Sequence, residues 1–358
     1  MNLPTADPAG RVSPLAKERP GIGFIGLGMA VQPHAQALRE LGDRVSFIAG
    51  FSPSEARRAA FEQRYGLATV ASEAALLDDP RVDVVFVLTP PRTHADVAMR
   101  AAAAHKHVLL EKPLDVDLAS ARLLVDAFAD AQRTLGVVFQ HRFRSSPAAL
   151  SELLKAGELG RLLSVSASVR WWRSAQYYAE PGRGMRARDG GGVLLTQAIH
   201  TLDLLLHLAG PAAGVTARCH RSGLRAMDTE DIVCAVVDYA DGAVGVIDAT
   251  TVAYPGYPER IEIAGSAGTA VLEGDRLVVQ RPGLPLLEMS GTSGGGGGAD
   301  PMAFSPQAHR CLIEEFLSAL KEGREPTNSG RSALAVHALI DAMLESASRG
   351  GPVPVTAC

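Results

Sequence analysis

Ile22-Gly-Phe-Ile-Gly26-Leu-Gly28-Met-Ala-Val31 is an apolar run that breaks into closely spaced glycines and opens onto 31–41, where Ala and Leu recur at helical spacing. It reads as a strand, a glycine turn and a helix. A turn this tight lets a pyrophosphate approach the backbone, whose free N–H groups and positive helix end bind it. Gly26 and Gly28 supply the turn, and Met29 and Ala30 complete the loop that would meet the phosphates. The third fingerprint position, where Gly or Ala lets helix and strand pack closely, is Val31, so the match is incomplete.

The same alternation continues outward. Residues 45–49, 82–88, 108–110 and 135–139 read as strands, and 54–65, 94–104 and 118–132 as helices. The strands are nearly continuous Val, Ile, Leu and Phe, as expected when helices cover both faces of a parallel sheet. A dinucleotide-binding Rossmann domain over 20–142 follows, with 1–19, rich in Pro, Ala and polar residues, as a flexible N-terminal arm. Beyond 142 the texture changes to short strands at 162–169, 215–219, 232–239, 243–251, 260–263, 270–272 and 277–280. Tyr239-Ala-Asp-Gly242 and Gly265-Ser-Ala-Gly268 have hairpin-turn chemistry, so 143–358 reads as an α+β domain with an antiparallel-rich sheet. Helices are expected at 309–321 and 332–348, and the five glycines 294–298 read as a mobile loop.

Composition sets the bounds. A length of 358 residues implies about two domains. With 47% hydrophobic and 21% charged residues the chain can bury a sizeable core, which excludes disordered and fibrous classes. The formal charge is -4 with no long basic run, so a nucleic-acid partner is not expected. No apolar stretch approaches the roughly 18 residues of a membrane span, and the first residues lack a signal-peptide core, which favours a cytoplasmic protein. Cys219, Cys234, Cys311 and Cys358 lack CxxC spacing, so no metal site and no disulfide framework is expected.

The end of the second strand bears on the cofactor, because an acid there would bond a ribose 2′-hydroxyl and repel a 2′-phosphate. The segment is Ala49-Gly-Phe-Ser52-Pro-Ser-Glu-Ala-Arg57-Arg58, without an acid at the strand end. Ser52 and Arg57 would suit the phosphate, so NADP is preferred over NAD, although Arg57 and Arg58 also fit a solvated helix face.

Leu88-Thr-Pro90-Pro-Arg-Thr-His94 and Glu111-Lys112-Pro113 end the third and fourth strands, and with the glycine turn the chain resembles the Gfo/Idh/MocA oxidoreductase family. The resemblance continues through Arg142-Phe143, Gly157-Glu-Leu-Gly160-Arg161, Gly190-Gly-Gly-Val-Leu-Leu-Thr196-Gln197-Ala-Ile-His200-Thr-Leu-Asp203, Thr229-Glu-Asp231 and Ile261-Glu-Ile-Ala-Gly265. It implies a second domain on a large open sheet, assembly into homodimers or homotetramers, and hydride exchange between NAD(P) and a secondary hydroxyl of a sugar or cyclitol. Thr89, Pro90, His94, Glu111 and Lys112 would border the cofactor.

Oxidising a secondary alcohol requires a group that takes the hydroxyl proton. Lys112, at a strand's carboxyl end where ligands bind in an open parallel sheet, and His200, which aligns with the family's catalytic histidine, are the candidates. Many family members carry Asp where this chain has Thr196, so a full Lys-Asp-His set is absent, and Thr196 and Gln197 would bond substrate hydroxyls. Asp203 is expected to orient or pack. Arg142, Trp172, Arg173 and Tyr178 complete the expected substrate contacts, with Arg173, Arg183 and Arg188 hinting at an anionic sugar or sugar nucleotide. The alternatives are a lyase or hydrolase that keeps its NAD, and a cofactor-binding regulator without catalysis.

Overall fold

The computed structural model describes residues 14–15, 17–291 and 306–356; the arm before residue 14 and the glycines 294–298 lie outside them. The first half alternates β1 (Gly21–Ile25), α1 (Val31–Leu41), β2 (Ser46–Phe51), α2 (Glu55–Tyr65), α3 (Glu73–Leu77), β3 (Val84–Val87), α4 (His94–Ala103), β4 (His107–Leu110), α5 (Leu118–Asp130) and β5 (Leu135–Val137). All five strands pair parallel in the order β2-β1-β3-β4-β5. Because β1, β3, β4 and β5 are buried along their whole length, the apolar runs in the sequence have no polar alternation. The chain leaves β1 for β2 on one side and returns to β3 on the other, which opens a crevice at the carboxyl ends of β1 and β3.

The rest comprises α6 (Ser145–Lys155), β6 (Leu162–Arg170), α7 (Ala175–Tyr178), α8 (Arg186–Asp189), a π turn at Leu194–Ala198, α9 (Ile199–Ala209), β7 (Ala212–His220), β8 (Ile232–Tyr239), β9 (Val244–Thr250), β10 (Arg260–Gly265), β11 (Gly268–Glu273), β12 (Arg276–Gln280), β13 (Leu287–Ser290), α10 (Pro306–Glu322), α11 (Gly330–Arg349) and β14 (Val353–Pro354). Nine strands form one open sheet, ordered β13-β12-β11-β10-β6-β9-β8-β7-β14. Every neighbour in it is antiparallel except β6 and β9. The Gly242 and Gly265–Gly268 turns join β8 to β9 and β10 to β11 as the turn chemistry requires. The α/β plus α+β architecture is thus the one expected.

Two features of the assembly escape a linear reading. The buried face of α10, with Leu312, Ile313, Phe316 and Leu317, joins the core around Ile22, Phe24 and Val31, so the end of the chain packs back onto the first sheet. Phe316 sits so close to Gly136 that a side chain there would meet its ring at 2.7 Å. The helical run Arg186–Ala209 meets the length and hydropathy of a membrane span, yet 83% of its apolar window is buried inside the fold, which makes it a core helix.

Candidate active site

Gly26 closes the turn with φ +101°, and a Cβ there would lie 2.7 Å from the Leu88 backbone, so the fold itself demands glycine. Gly28 differs. A Cβ on it would meet nothing within 4 Å, so its missing side chain leaves room above the turn. Helix α1 starts from Ala30 without a side-chain cap, whereas Ser54, Ser72 and Asp117 cap α2, α3 and α5. The Val31 N–H meets the Gly28 carbonyl at 3.3 Å, and the positive helix end with the N–H groups that follow is left for an anion, which fits a dinucleotide pyrophosphate. Met29, 67% exposed, lines a groove with Gly28, Arg57 and Arg64.

Two of the expected cofactor contacts are placed differently. Ser52 is buried and its Oγ accepts the Ser54 N–H at 3.3 Å, so of the pair expected at a 2′-phosphate only Arg57 faces the groove. Arg58 is held on the Ser52 carbonyl at 2.6 Å. His94 is fully buried, with Nδ1 2.6 Å from the Pro113 carbonyl and Nε2 2.8 Å from that of Thr89. Both ring nitrogens face backbone, so His94 ties the ends of β3 and β4 together and cannot bond the cofactor itself. Thr89, with a buried unpartnered Oγ1, and Pro90 stand beside the Gly26 turn at the end of β3.

Lys112 follows β4 and precedes Pro113 through a cis peptide. Its Nζ donates to the Thr196 carbonyl at 2.9 Å. Burial lowers the Lys112 pKa from its ordinary value; the Glu111 charge opposes this and the Arg173 charge adds to it. Glu111 binds His34 Nε2 at 2.9 Å and accepts the Lys112 N–H at 3.2 Å. With His309 these groups lie within 4.8 Å of one another, a cluster that spacing in the sequence gave no sign of.

His200 stands one turn after Thr196. Its ring stacks on His141 with centroids 5.0 Å apart and meets Phe139 edge-on at 6.0 Å. Its Nδ1 is buried without a partner, as is that of His141. Burial pushes the His200 pKa well below the usual histidine value, and the Lys112 charge acts in the same direction. His141 is likewise held neutral by burial and by Arg144, which donates to its Nε2 at 2.6 Å and pairs with Glu259. The site therefore contains a stacked pair of neutral imidazoles beside an amine.

The backbone around His200 is shaped by neighbours. A Cβ on Gly192 would lie 2.1 Å from the Glu230 carbonyl, so the triple glycine serves approach to that residue. The Thr196 hydroxyl donates back to the Gly192 carbonyl at 2.7 Å and also contacts Gln197 Oε1. It is thus the Thr196 backbone oxygen that engages Lys112, a role that needs no carboxylate side chain.

Arg142 does not line the substrate cavity. It was expected to touch substrate, but Nε donates to Asp203 at 2.7 Å, Nη2 closes a second bond to the same carboxylate, and Nη1 donates to the Thr327 carbonyl at 2.7 Å. The pair is buried and fully used, clamping the junction to α9. Replacing Arg142 by Met leaves Asp203 buried and unpaired and is expected to cost about 3 kcal/mol in urea unfolding. The double variant with Asp203→Leu should recover most of that loss; equal stability of wild type and single variant would contradict the clamp.

Of the other residues expected at the substrate, Tyr178, Thr196 and Gln197 line one cavity. Tyr177, Tyr178, Gly192, Thr196 and Gln197 line a small cavity, and Gln197 Nε2 donates to the Tyr177 hydroxyl at 3.4 Å. Trp171 joins the core, while Trp172 is half-buried with the Arg225 guanidinium 4.8 Å over it. Arg173 lies 4.8 Å over Trp171 and 5.4 Å over Tyr177. Arg188 instead pairs with Glu180 on the rim.

A glycine turn between the first strand and helix of a parallel sheet, with a buried amine and neutral imidazoles after its later strands, fits the class of nicotinamide-dependent oxidoreductases. Residues 21–139 match the model of the oxidoreductase family with an NAD-binding Rossmann fold, and 148–271 match the Gfo/Idh/MocA C-terminal domain. The chain belongs to the Gfo/Idh/MocA family. It is 28% identical to inositol 2-dehydrogenase from Rhizobium meliloti over 90% of this chain and 96% of that protein. Levoglucosan dehydrogenase from Pseudarthrobacter phenanthrenivorans is 27% identical over 86% of this chain and 88% of its own length. The crystal structure of the WlbA dehydrogenase from Bordetella pertussis, in complex with NADH and UDP-GlcNAcA, superposes with a TM-score of 0.80 at 27% identity, covering 94% of this chain and 99% of that one. The family and fold expected from the sequence are those found, and the chain is an oxidoreductase with an NAD-binding domain.

Proposed function

We propose that the protein oxidises a secondary hydroxyl of a sugar, cyclitol or sugar derivative, with Lys112 and His200 handling the oxygen and its proton. The observation that carries this is the unpartnered, neutral Nδ1 of His200 one turn beyond the carbonyl that holds the Lys112 ammonium. A substrate hydroxyl donating to Nδ1 satisfies that buried nitrogen and places its proton on a base. Lys112 keeps N–H donors beyond the one given to Thr196 and uses them on the substrate oxygen. Gly26, Gly28, Met29, Ala30, Thr89, Pro90, Glu111 and Lys112 border the dinucleotide, whose nicotinamide supplies the hydride acceptor. Trp172, Arg173, Tyr178, Thr196 and Gln197 border the substrate. The inositol and levoglucosan dehydrogenases among the relatives support the substrate class. Screening oxidised cofactor against sugars, cyclitols and sugar nucleotides tests the reading: reduced nicotinamide should accumulate with at least one of them, and turnover without it would favour the NAD-retaining lyase.

The cofactor preference rests on Arg57, which with Arg64 lines the groove beside Gly28 where no acid does. NADP is therefore preferred. Arg57→Ala is expected to weaken NADP about tenfold and NAD little, as measured by fluorescence titration. Equal losses for both would contradict a phosphate contact. Copies of the chain pair through the open sheet, whose outer face carries exposed Val236, Val244 and Val246.

A further inference from the structure

We propose that the substrate carries a carboxylate, as a uronic or aldonic acid does, and that Arg183 and Arg225 bind it; this rests on the dehydrogenase reading and names its substrate class. Three guanidiniums pack on the aromatic wall of the crevice. Arg183 lies 4.3 Å over Tyr177, Arg225 5.2 Å over Tyr178, and Arg173 touches Tyr177 from its own side. The same tyrosines line the cavity with Thr196 and Gln197, which places these cations one ring away from the residues beside Lys112.

The charge balance of this wall is incomplete. Glu180, on the rim and 47% exposed, divides itself between Arg183 and Arg188. Among the described residues no carboxylate contacts Arg225, whose Nη2 donates only to the Arg173 carbonyl. Arg183 Nε and Arg225 Nη1 are each buried with no hydrogen-bond partner. A cationic N–H removed from water and left unpaired is costly, and a carboxylate that accepts such an N–H removes that cost. A neutral polyol offers only hydroxyls there and leaves Arg225 without a counter-charge.

Calorimetric titration of the cofactor-loaded protein with D-glucuronate, D-galacturonate and D-gluconate, beside D-glucose, D-galactose and D-glucose 6-phosphate, tests this. A carboxylated member should bind at least about tenfold tighter than its neutral parent, and Arg225→Gln and Arg183→Gln should each remove most of that preference while cofactor affinity reports an intact fold. The inference is overturned if neutral parents bind as tightly, if the phosphate ester outbinds every carboxylate, if no carboxylate binds, or if the preference survives both substitutions. Neutral sugars turned over as well as uronates would sink the carboxylate alone; carboxylates bound tightly with no hydride transfer from any of them would sink the dehydrogenase instead.

Discussion

Replacing Lys112 with Met is expected to lower kcat/KM about a thousandfold while NADH affinity changes only a few-fold. Met keeps most of the side-chain volume, so the crevice stays filled, but the donor that holds the Thr196 carbonyl and the substrate oxygen is gone. The loss should fall mainly on kcat, because the interaction strengthens as negative charge develops on the oxygen. Lys112→Arg should rescue little, since a planar guanidinium does not fit the position of a compact ammonium. His200→Asn is expected to cost about a hundredfold. Because burial holds the His200 pKa well below the usual value, the wild-type base remains unprotonated through neutrality, and the acid limb of kcat/KM lies below pH 6.5. An enzyme with Lys112→Met that retained full kcat would remove this residue from the chemistry.

The second large effect is acid lability. Burial lowers the pKa of His309 from 6.5 to about 3, and those of His107 and His337 to about 4. The geometry agrees: His107 Nδ1 accepts the Thr134 N–H at 3.1 Å and His337 Nε2 accepts the Leu114 N–H at 3.2 Å, bonds that a protonated nitrogen cannot make. Below pH 6.5 the unfolded chain takes up protons on these histidines while the native chain does not, so stability is complete above pH 6.5 and falls as pH drops toward 4. Three such groups give a slope of about 4 kcal/mol per pH unit, enough to exhaust a typical domain's stability within about one to four units. The urea midpoint should be flat from pH 7 to 8 and drop steeply below 6, with His337→Gln removing about one proton from the uptake on unfolding. A midpoint unchanged down to pH 4.5 would contradict the buried neutral state of all three.

What the sequence made legible was local. The β1 turn could be read because Gly26 answers a positive φ and a backbone contact, both short-range demands. Continuous apolar strands announced a covered parallel sheet, and Glu111-Lys112-Pro113 marked the strand end where the candidate amine sits. The misplacements are long-range. Arg142 was assigned to substrate because nothing in its neighbourhood reveals Asp203 across 61 residues of chain. His94 looked like a cofactor ligand until both its nitrogens met carbonyls of the two strand ends it joins. The packing of α10 on the first sheet and the His34, Glu111 and His309 cluster depend on the same return of the chain. Helix α6 was not among the expected elements, although Pro147 is tolerated in its first turn. The π turn at Leu194–Ala198 carries no sequence mark; its wider winding frames the carbonyl that Lys112 holds.

The central claim is hydride exchange with a carbon-bound hydroxyl in this crevice. It is tested most directly by giving the protein oxidised cofactor and a substrate identified in the screen, deuterated at its carbinol carbon, and reading the reduced nicotinamide by mass spectrometry. Deuterium is expected in the reduced ring, together with a rate slowed by the label. Reduced nicotinamide that carries no deuterium, or a protein that reduces no cofactor with any member of the panel, would contradict it.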